Sequence, residues 1–314
     1  MIEYTNYNLG HDEFDYSSQR LREWKWGRQK NIYWRMPIAF GPMPGPRQTH
    51  LGVPREATHS TFRTASIKFK TSRPNLQNLF PPGIKNIRFT SPGTVAYASF
   101  ACTTLDKMEW LGNTGYSHIG LYIHGVEYEK KDGSKVSGTY MPILFESLTD
   151  PIVSGREELG MPKLYTAIDT HRGASSFRIQ TSWKGSMWGN FRLTGLEEDV
   201  NSTSAATGKI SGEDDDGIIV FRYMPQVGTE FKGIAESSYP VFVPFAEDLP
   251  KPQTRKVWNA REAKIDIDGM NWDALPTLHH VISRLADIPV YEIVSAKLVE
   301  GDGVPDVSQA RRME

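Results

Sequence analysis

Short runs in which apolar and polar residues alternate recur along most of this chain, and they constrain its fold more than any other feature. A period of two places successive side chains on opposite faces of a strand, so each run reads as a strand with one buried face. Eleven candidates follow: Ser66 to Lys70, Val95 to Thr103, Gly120 to Tyr128, Thr139 to Glu146, Lys163 to Thr170, Phe177 to Trp183, Met187 to Leu193, Gly217 to Met224, Pro240 to Phe245, Val257 to Asp268 and Pro289 to Glu300. Lys131-Asp132-Gly133-Ser134, between YIHGVEYE and KVSGTYMPI, predicts a hairpin with an Asp-Gly loop. Helices are few. Leu278, Val281, Ile282 and Leu285 recur at helical spacing within Ala274 to Asp287, and a shorter helix near Pro74 to Phe80 stops at Pro81-Pro82, because proline cannot continue it. The pattern argues for an antiparallel barrel or a pair of packed sheets, in a mostly β (α+β) chain with a few flanking helices.

With 314 residues the chain buries a sizeable core, as one large β domain or two small ones. Its 36 basic and 37 acidic residues nearly cancel, which removes the electrostatic footprint of a nucleic-acid partner. The lone cysteine, Cys102, sits in an apolar strand and reads as a buried, inert thiol, which suits a reducing compartment. The first twenty residues lack a basic start and an apolar run, and no stretch approaches the roughly 18 apolar residues of a membrane span, so the expected location is the cytoplasm. His279-His280 are adjacent and diverge on a helix, and the chain has no HExxH, GxGxxG, Walker loop or GxSxG. Neither a metal nor a cofactor is expected. Asn201-Ser202-Thr203 matches a glycosylation sequon, which carries no weight without a secretory signal.

Residues 155–165, GREELGMPKLY, hold the chemically most informative group, Lys163, at the start of the alternating run KLYTAIDT. A free lysine has a pKa of about 10.4, so only roughly one amine in 2,500 is neutral at pH 7. Desolvation penalises the ammonium and frees the amine to attack a carbonyl. The alternative is a solvated lysine beside a proline turn.

GREELGMPKLY resembles the signature of the acetoacetate decarboxylase family, in which a Gly-Arg-Glu turn precedes Pro-Lys and the lysine forms a Schiff base with a ketone. SPGTVAYASF, LFESLTDPIVSGRE, GIIVFRYMPQV and IPVYEIVSAKLV resemble the family in the same order, roughly over Pro37 to Gly301. The resemblance implies an antiparallel β-barrel of the acetoacetate decarboxylase-like type, a homo-oligomer, and Lys163 as the imine-forming residue. Activation of that lysine by a hydrophobic pocket or a neighbouring cation is the family's known device.

Several positions depart from the family pattern. Leu164 stands where the decarboxylases carry a second lysine, and the run Val95 to Thr104 has no acid where a pocket glutamate is expected. His118, in Tyr116-Ser117-His118-Ile119-Gly120, aligns with the second pocket glutamate. With an unperturbed pKa near 6.5 it would both give and take a proton, or else be an inert hydrogen-bonded histidine. Glu146 either replaces a lost carboxylate or is a solvated edge residue. For substrate binding the resemblance implies Tyr116 and Arg63, the latter one residue out of register and so facing the opposite side of its strand. Arg156 either anchors a substrate carboxylate or, with Glu157, braces the turn that carries Lys163.

Three segments flank or interrupt the domain expected over 37–301. Residues 1–36 are rich in aromatics, among them Trp24, Trp26, Tyr33 and Trp34, and form an arm or lid that packs on a neighbouring subunit, on the pocket mouth or on its own barrel. The acidic, small-residue run 197–217 is an exposed loop, in which Asp214, Asp215 and Asp216 are a cation site or a solvated charge run. Residues 302–314 are a tail. Two functions fit. One is a Schiff-base lyase acting through Lys163 on a β-keto acid or polyketide-like carbonyl compound, by decarboxylation or by aldol and dehydration chemistry; similarity to aromatic-rich relatives implies secondary metabolism. The other is a barrel that binds or cyclises a hydrophobic ligand with no imine.

Overall fold

Strand residues alternate between two apolar environments, and that alternation organises the computed structural model, which describes residues 59–200, 216–228, 230, 233–245, 251–305, 307 and 309–313. The aromatic arm 1–36 and residues 201–215 of the acidic run lie outside the described residues. In chain order the elements are β1 (Thr61–Ser72), α1 (Arg73–Gln77), β2 (Ile87–Phe89), β3 (Val95–Met108), a 3-10 turn (Glu109–Leu111), β4 (Thr114–Glu129), β5 (Lys135–Glu146), α2 (Thr149–Glu158), β6 (Lys163–Tyr165), β7 (Ala167–Arg172), β8 (Ser176–Trp183), β9 (Ser186–Glu198), β10 (Gly217–Pro225), β11 (Ala235–Pro244), β12 (Gln253–Ile267), α3 (His279–Ala286), β13 (Glu292–Asp302) and β14 (Arg311–Arg312).

The strands form one sheet in the order β14-β11-β10-β5-β4-β3-β1-β13-β12-β9-β8-β7, with β2 on β4 and β6 on β5. Most neighbours are antiparallel, whereas β10 and β6 each pair parallel with β5. The sheet curls strongly. Six strand steps separate β5 from β9, a span of roughly 29 Å in a flat sheet at about 4.8 Å per step, yet the rings of Phe145 and Trp188 lie 4.9 Å apart. Phe100 and Phe191 meet in the same way at 5.2 Å. The expected closed barrel is not formed among the described residues, because no ladder joins β7 back to β14. Apolar side chains bring the two halves of the sheet together, joined by hydrogen bonds from Thr166 to the Glu146 and Ser182 carbonyls and from Trp188 to the Thr166 hydroxyl.

Ala65, Ile67, Phe100, Cys102, Ile119 and Phe145 point into the main core between those halves. Burial pushes the Cys102 thiol up to about 12, which makes it unreactive at neutral pH. The intervening residues face the other way, where Ala101, Tyr122, Met141 and Leu144 meet Leu159, Met161, Val220 and Val241.

Local chemistry explains where elements end. The expected Asp-Gly turn is present, with Gly133 at φ 82° and the Asp132 carboxylate accepting from the Ser134 amide. The run expected as one strand from Lys163 to Thr170 breaks at Thr166, whose amide donates to the Glu146 carbonyl and whose hydroxyl donates to that of Ser182. The helix expected from Ala274 begins only at His279, since Pro276 disfavours the helical conformation of the residue before it. Among the described residues beyond 302, Val304 and Met313 are buried, and Arg311 and Arg312 pair with Phe242 and Val241.

Candidate active site

Lys163 is placed by the turn that follows helix α2. Helix α2 accommodates Pro151 in its first turn, where a missing N–H costs nothing. It ends at Leu159, and Gly160 follows in the left-handed region at φ 67°, with the Leu159 and Met161 amides both donating to the Gly155 carbonyl. The Leu144 amide then donates to the Pro162 carbonyl, which docks β6 beside β5 with Lys163 opposite Leu144. Arg222 donates to the carbonyls of Arg156 and Glu157, satisfying the exposed end of the helix with a cation where the helix dipole favours one.

The lysine side chain runs under α2 and is 7 % exposed, so it is buried and not solvated. Its Nζ donates to the Pro151 carbonyl at 3.1 Å and lies 2.6 Å from Glu146 Oε1. Gly155 leaves the space the lysine occupies: a Cβ there would stand 2.5 Å from Lys163 Cδ and Cε and 2.7 Å from Nζ.

Glu146 is fully buried, and neither of its oxygens has a partner in hydrogen-bonding geometry despite the short ion-pair contact. Burial raises its carboxyl above the ordinary range, opposed by the charge of Lys163. His118 is the cross-strand partner of Glu146, and its Nδ1 is buried without a partner. Burial and then the Lys163 charge lower this imidazole to about 3. A value this low favours the neutral ring around pH 7, in which His118 serves as an acceptor or a hydrogen-bond partner.

Register extends the site across the sheet. Thr64 pairs with Thr103, Thr103 with His118 and His118 with Glu146, which puts four polar side chains in one row on the face opposite the main core. An apolar row borders it, Phe62, Leu105 and Tyr116, joined by Met108, Trp110 and Val304. The Tyr116 ring lies 6.2 Å from that of His118 and 6.4 Å from that of Trp110, whose buried Nε1 also lacks a partner. On the other side the row Ser66, Ala101, Gly120 and Leu144 leads to Lys163.

Lys163, Glu146, His118 and Tyr116 thus come together, and the two arginines do not join them. Arg63 pairs with Thr104 and through it aligns with Ser117 on the opposite face, where it forms a 2.6 Å ion pair with Glu300. The one-residue slip was legible in the spacing. Arg156 donates to the Lys163 carbonyl at 3.2 Å, which makes it a brace. The contact of Gly155 with the lysine, the Pro151 carbonyl, the threonine pair and the role of Arg222 all escaped sequence reasoning. A separate groove of about 680 Å³, floored by Phe69, Phe100 and Trp188 beside α3, is lined by none of Lys163, Glu146 and His118.

The family model for acetoacetate decarboxylase matches residues 35–308. No curated protein matches the chain. A solved acetoacetate decarboxylase is similar in structure, with 14 % identity, TM-score 0.57, and coverage of 84 % of this chain and 93 % of that one. The enduracididine biosynthesis enzyme MppR complexed with pyruvate is 11 % identical at TM-score 0.56, covering 90 % of this chain and 99 % of its own. An acetoacetate decarboxylase-like enzyme from Sphingomonas wittichii RW1 is 14 % identical at TM-score 0.54, with 85 % and 98 % covered. At these identities the likeness establishes the fold alone.

Proposed function

The chain belongs to the acetoacetate decarboxylase family, and we propose that it is a carbon–carbon lyase that forms an imine between Lys163 and a β-keto acid or polyketide-like carbonyl substrate. One observation carries this reading: a buried lysine whose Nζ lies 2.6 Å from a fully buried carboxyl that burial raises. Proton transfer across that contact leaves a neutral amine and a neutral acid, and a low-dielectric site favours the uncharged pair over two separated charges.

The amine lone pair then attacks the substrate carbonyl carbon. Glu146 supplies a proton as the carbonyl oxygen departs as water, and the iminium that remains withdraws electrons. An adjacent carbon–carbon bond breaks into that sink, with its electron pair forming an enamine and with carbon dioxide or an aldol partner leaving. A proton returned to the enamine carbon and attack by water release the product and the amine. Neutral His118 accepts a proton or orients the substrate through Nδ1, and Tyr116 and Trp110 line the approach with aromatic surface.

Borohydride reduction tests the reading. The protein is incubated with acetoacetate, pyruvate and longer 1,3-dicarbonyl compounds, then reduced and analysed by intact mass and peptide mapping. An adduct on Lys163 that disappears in Lys163→Ala is the expected result. No adduct across the panel would transfer the fold to non-covalent ligand binding or cyclisation.

A further inference from the structure

The Thr64 and Thr103 hydroxyls lie 2.8 Å apart at the far end of the row that runs to Glu146. Two hydroxyls carry two O–H donors, and only one is used between them, so the pair keeps a free donor and acceptor lone pairs. We propose that this pair is a subsite for an uncharged oxygen of the substrate, a hydroxyl or carbonyl about five bonds from the carbon that joins Lys163.

The inference rests on the imine reading of Lys163. Thr103 stands two strands from Glu146, roughly 10 Å at about 4.8 Å per strand, and Lys163 Nζ sits beside Glu146. A carbon–nitrogen bond at one end and a hydrogen bond of about 2.8 Å at the other leave roughly 6 Å. An extended chain covers that distance in about five bonds. Such a molecule crosses the strand position of His118, whose buried Nδ1 is unpartnered, and runs between the Tyr116 row on one side and the row of Ala101 and Gly120 on the other.

The charge of the distal group follows from the partners available. Among the described residues this row carries no cation, because Arg63 lies on the opposite face and Arg156 is held on the Lys163 carbonyl. Lys297, across from Ser66 in the adjacent row, is exposed, where its ammonium is hydrated. A carboxylate at the threonine pair would lose hydration without a buried partner, whereas a hydroxyl or carbonyl loses little.

Three probes of equal length separate the possibilities: hexan-2-one, 6-hydroxyhexan-2-one and 5-oxohexanoate. The half-saturating concentration for borohydride trapping on Lys163 is expected to be about fivefold lower for the hydroxyketone than for hexan-2-one, as one net hydrogen bond gives. The keto acid should gain nothing. In Thr103→Val, and independently in Thr64→Val, the ratio of the two ketones should fall to about one. Equal half-saturation in the unmodified protein, a ratio kept in both variants, or a preference for 5-oxohexanoate would overturn the proposal. Calorimetric binding of the two ketones to Lys163→Ala keeps the subsite separate from the imine: a retained preference for the hydroxyketone supports the subsite even where no adduct forms, and its absence refutes it.

Discussion

Gly155→Ala probes the link between helix α2 and the Lys163 amine with the smallest possible change. In an ordinary helix this substitution stabilises by roughly 0.5–1 kcal/mol, because glycine loses more backbone freedom on folding. Here the new methyl would stand 2.5 Å from two carbons of Lys163 and 2.7 Å from its nitrogen. Carbon contacts are comfortable at about 3.5–4.0 Å, so the lysine or the helix moves by roughly 1 Å. Overpacking of that size costs about 1–3 kcal/mol, which outweighs the gain in helix propensity. Movement of Nζ also breaks its 2.6 Å contact with Glu146, and a misplacement near 1 Å lowers a rate by roughly a hundredfold. The assay pairs urea denaturation with the rate of borohydride trapping at Lys163. A variant that is more stable and traps at the original rate would refute the packing argument.

Glu146→Gln removes the acid that takes the lysine proton and is expected to destabilise the fold by about 1–3 kcal/mol by disrupting a buried polar contact, and Lys163→Met in the same chain should restore most of that loss; a double-mutant cycle with no coupling would show that the pair does not interact. His118 sets an acid limit. Its folded pKa of about 3 lies below the unfolded value near 6.5, so between these values only the unfolded chain gains the proton, and stability falls as pH drops. From pH 7 to 5 the loss is about 2 kcal/mol, the full slope of about 1.4 kcal/mol per unit being reached only below pH 6.5. Denaturation midpoints at pH 7 and pH 5 should diverge in the unmodified protein and much less in His118→Gln, and parallel behaviour would count against a buried neutral ring.

Much of the fold was legible because period-two patterns need only local reading. The strands around Phe100, Ile119 and Phe145 and the Asp132-Gly133 turn follow from alternation and turn chemistry. What escaped depends on distant partners. Helix α2 was read only as a turn, since Pro151 and Gly155 mask its pattern, and its helical form becomes intelligible once Arg222 is seen to hold its last carbonyls. The break at Thr166 comes from hydrogen bonds to Glu146 and Ser182, and no window around Thr166 contains them. Site residues divide in the same way: Lys163, Glu146 and His118 stand out by type and motif, whereas Thr64 and Thr103 matter only through their register, which the sequence leaves open.

The curled sheet keeps its packing residues and its polar row one position apart on the same strands: Ala65 beside Thr64, Cys102 beside Thr103, Ile119 beside His118, Phe145 beside Glu146. A point change in the polar row therefore alters that face without touching the hydrocarbon interior, while a single-residue insertion in β5 would exchange Glu146 with an interior position and disturb both at once. Such a scaffold is open to diversification by substitution and closed to it by length change within its strands.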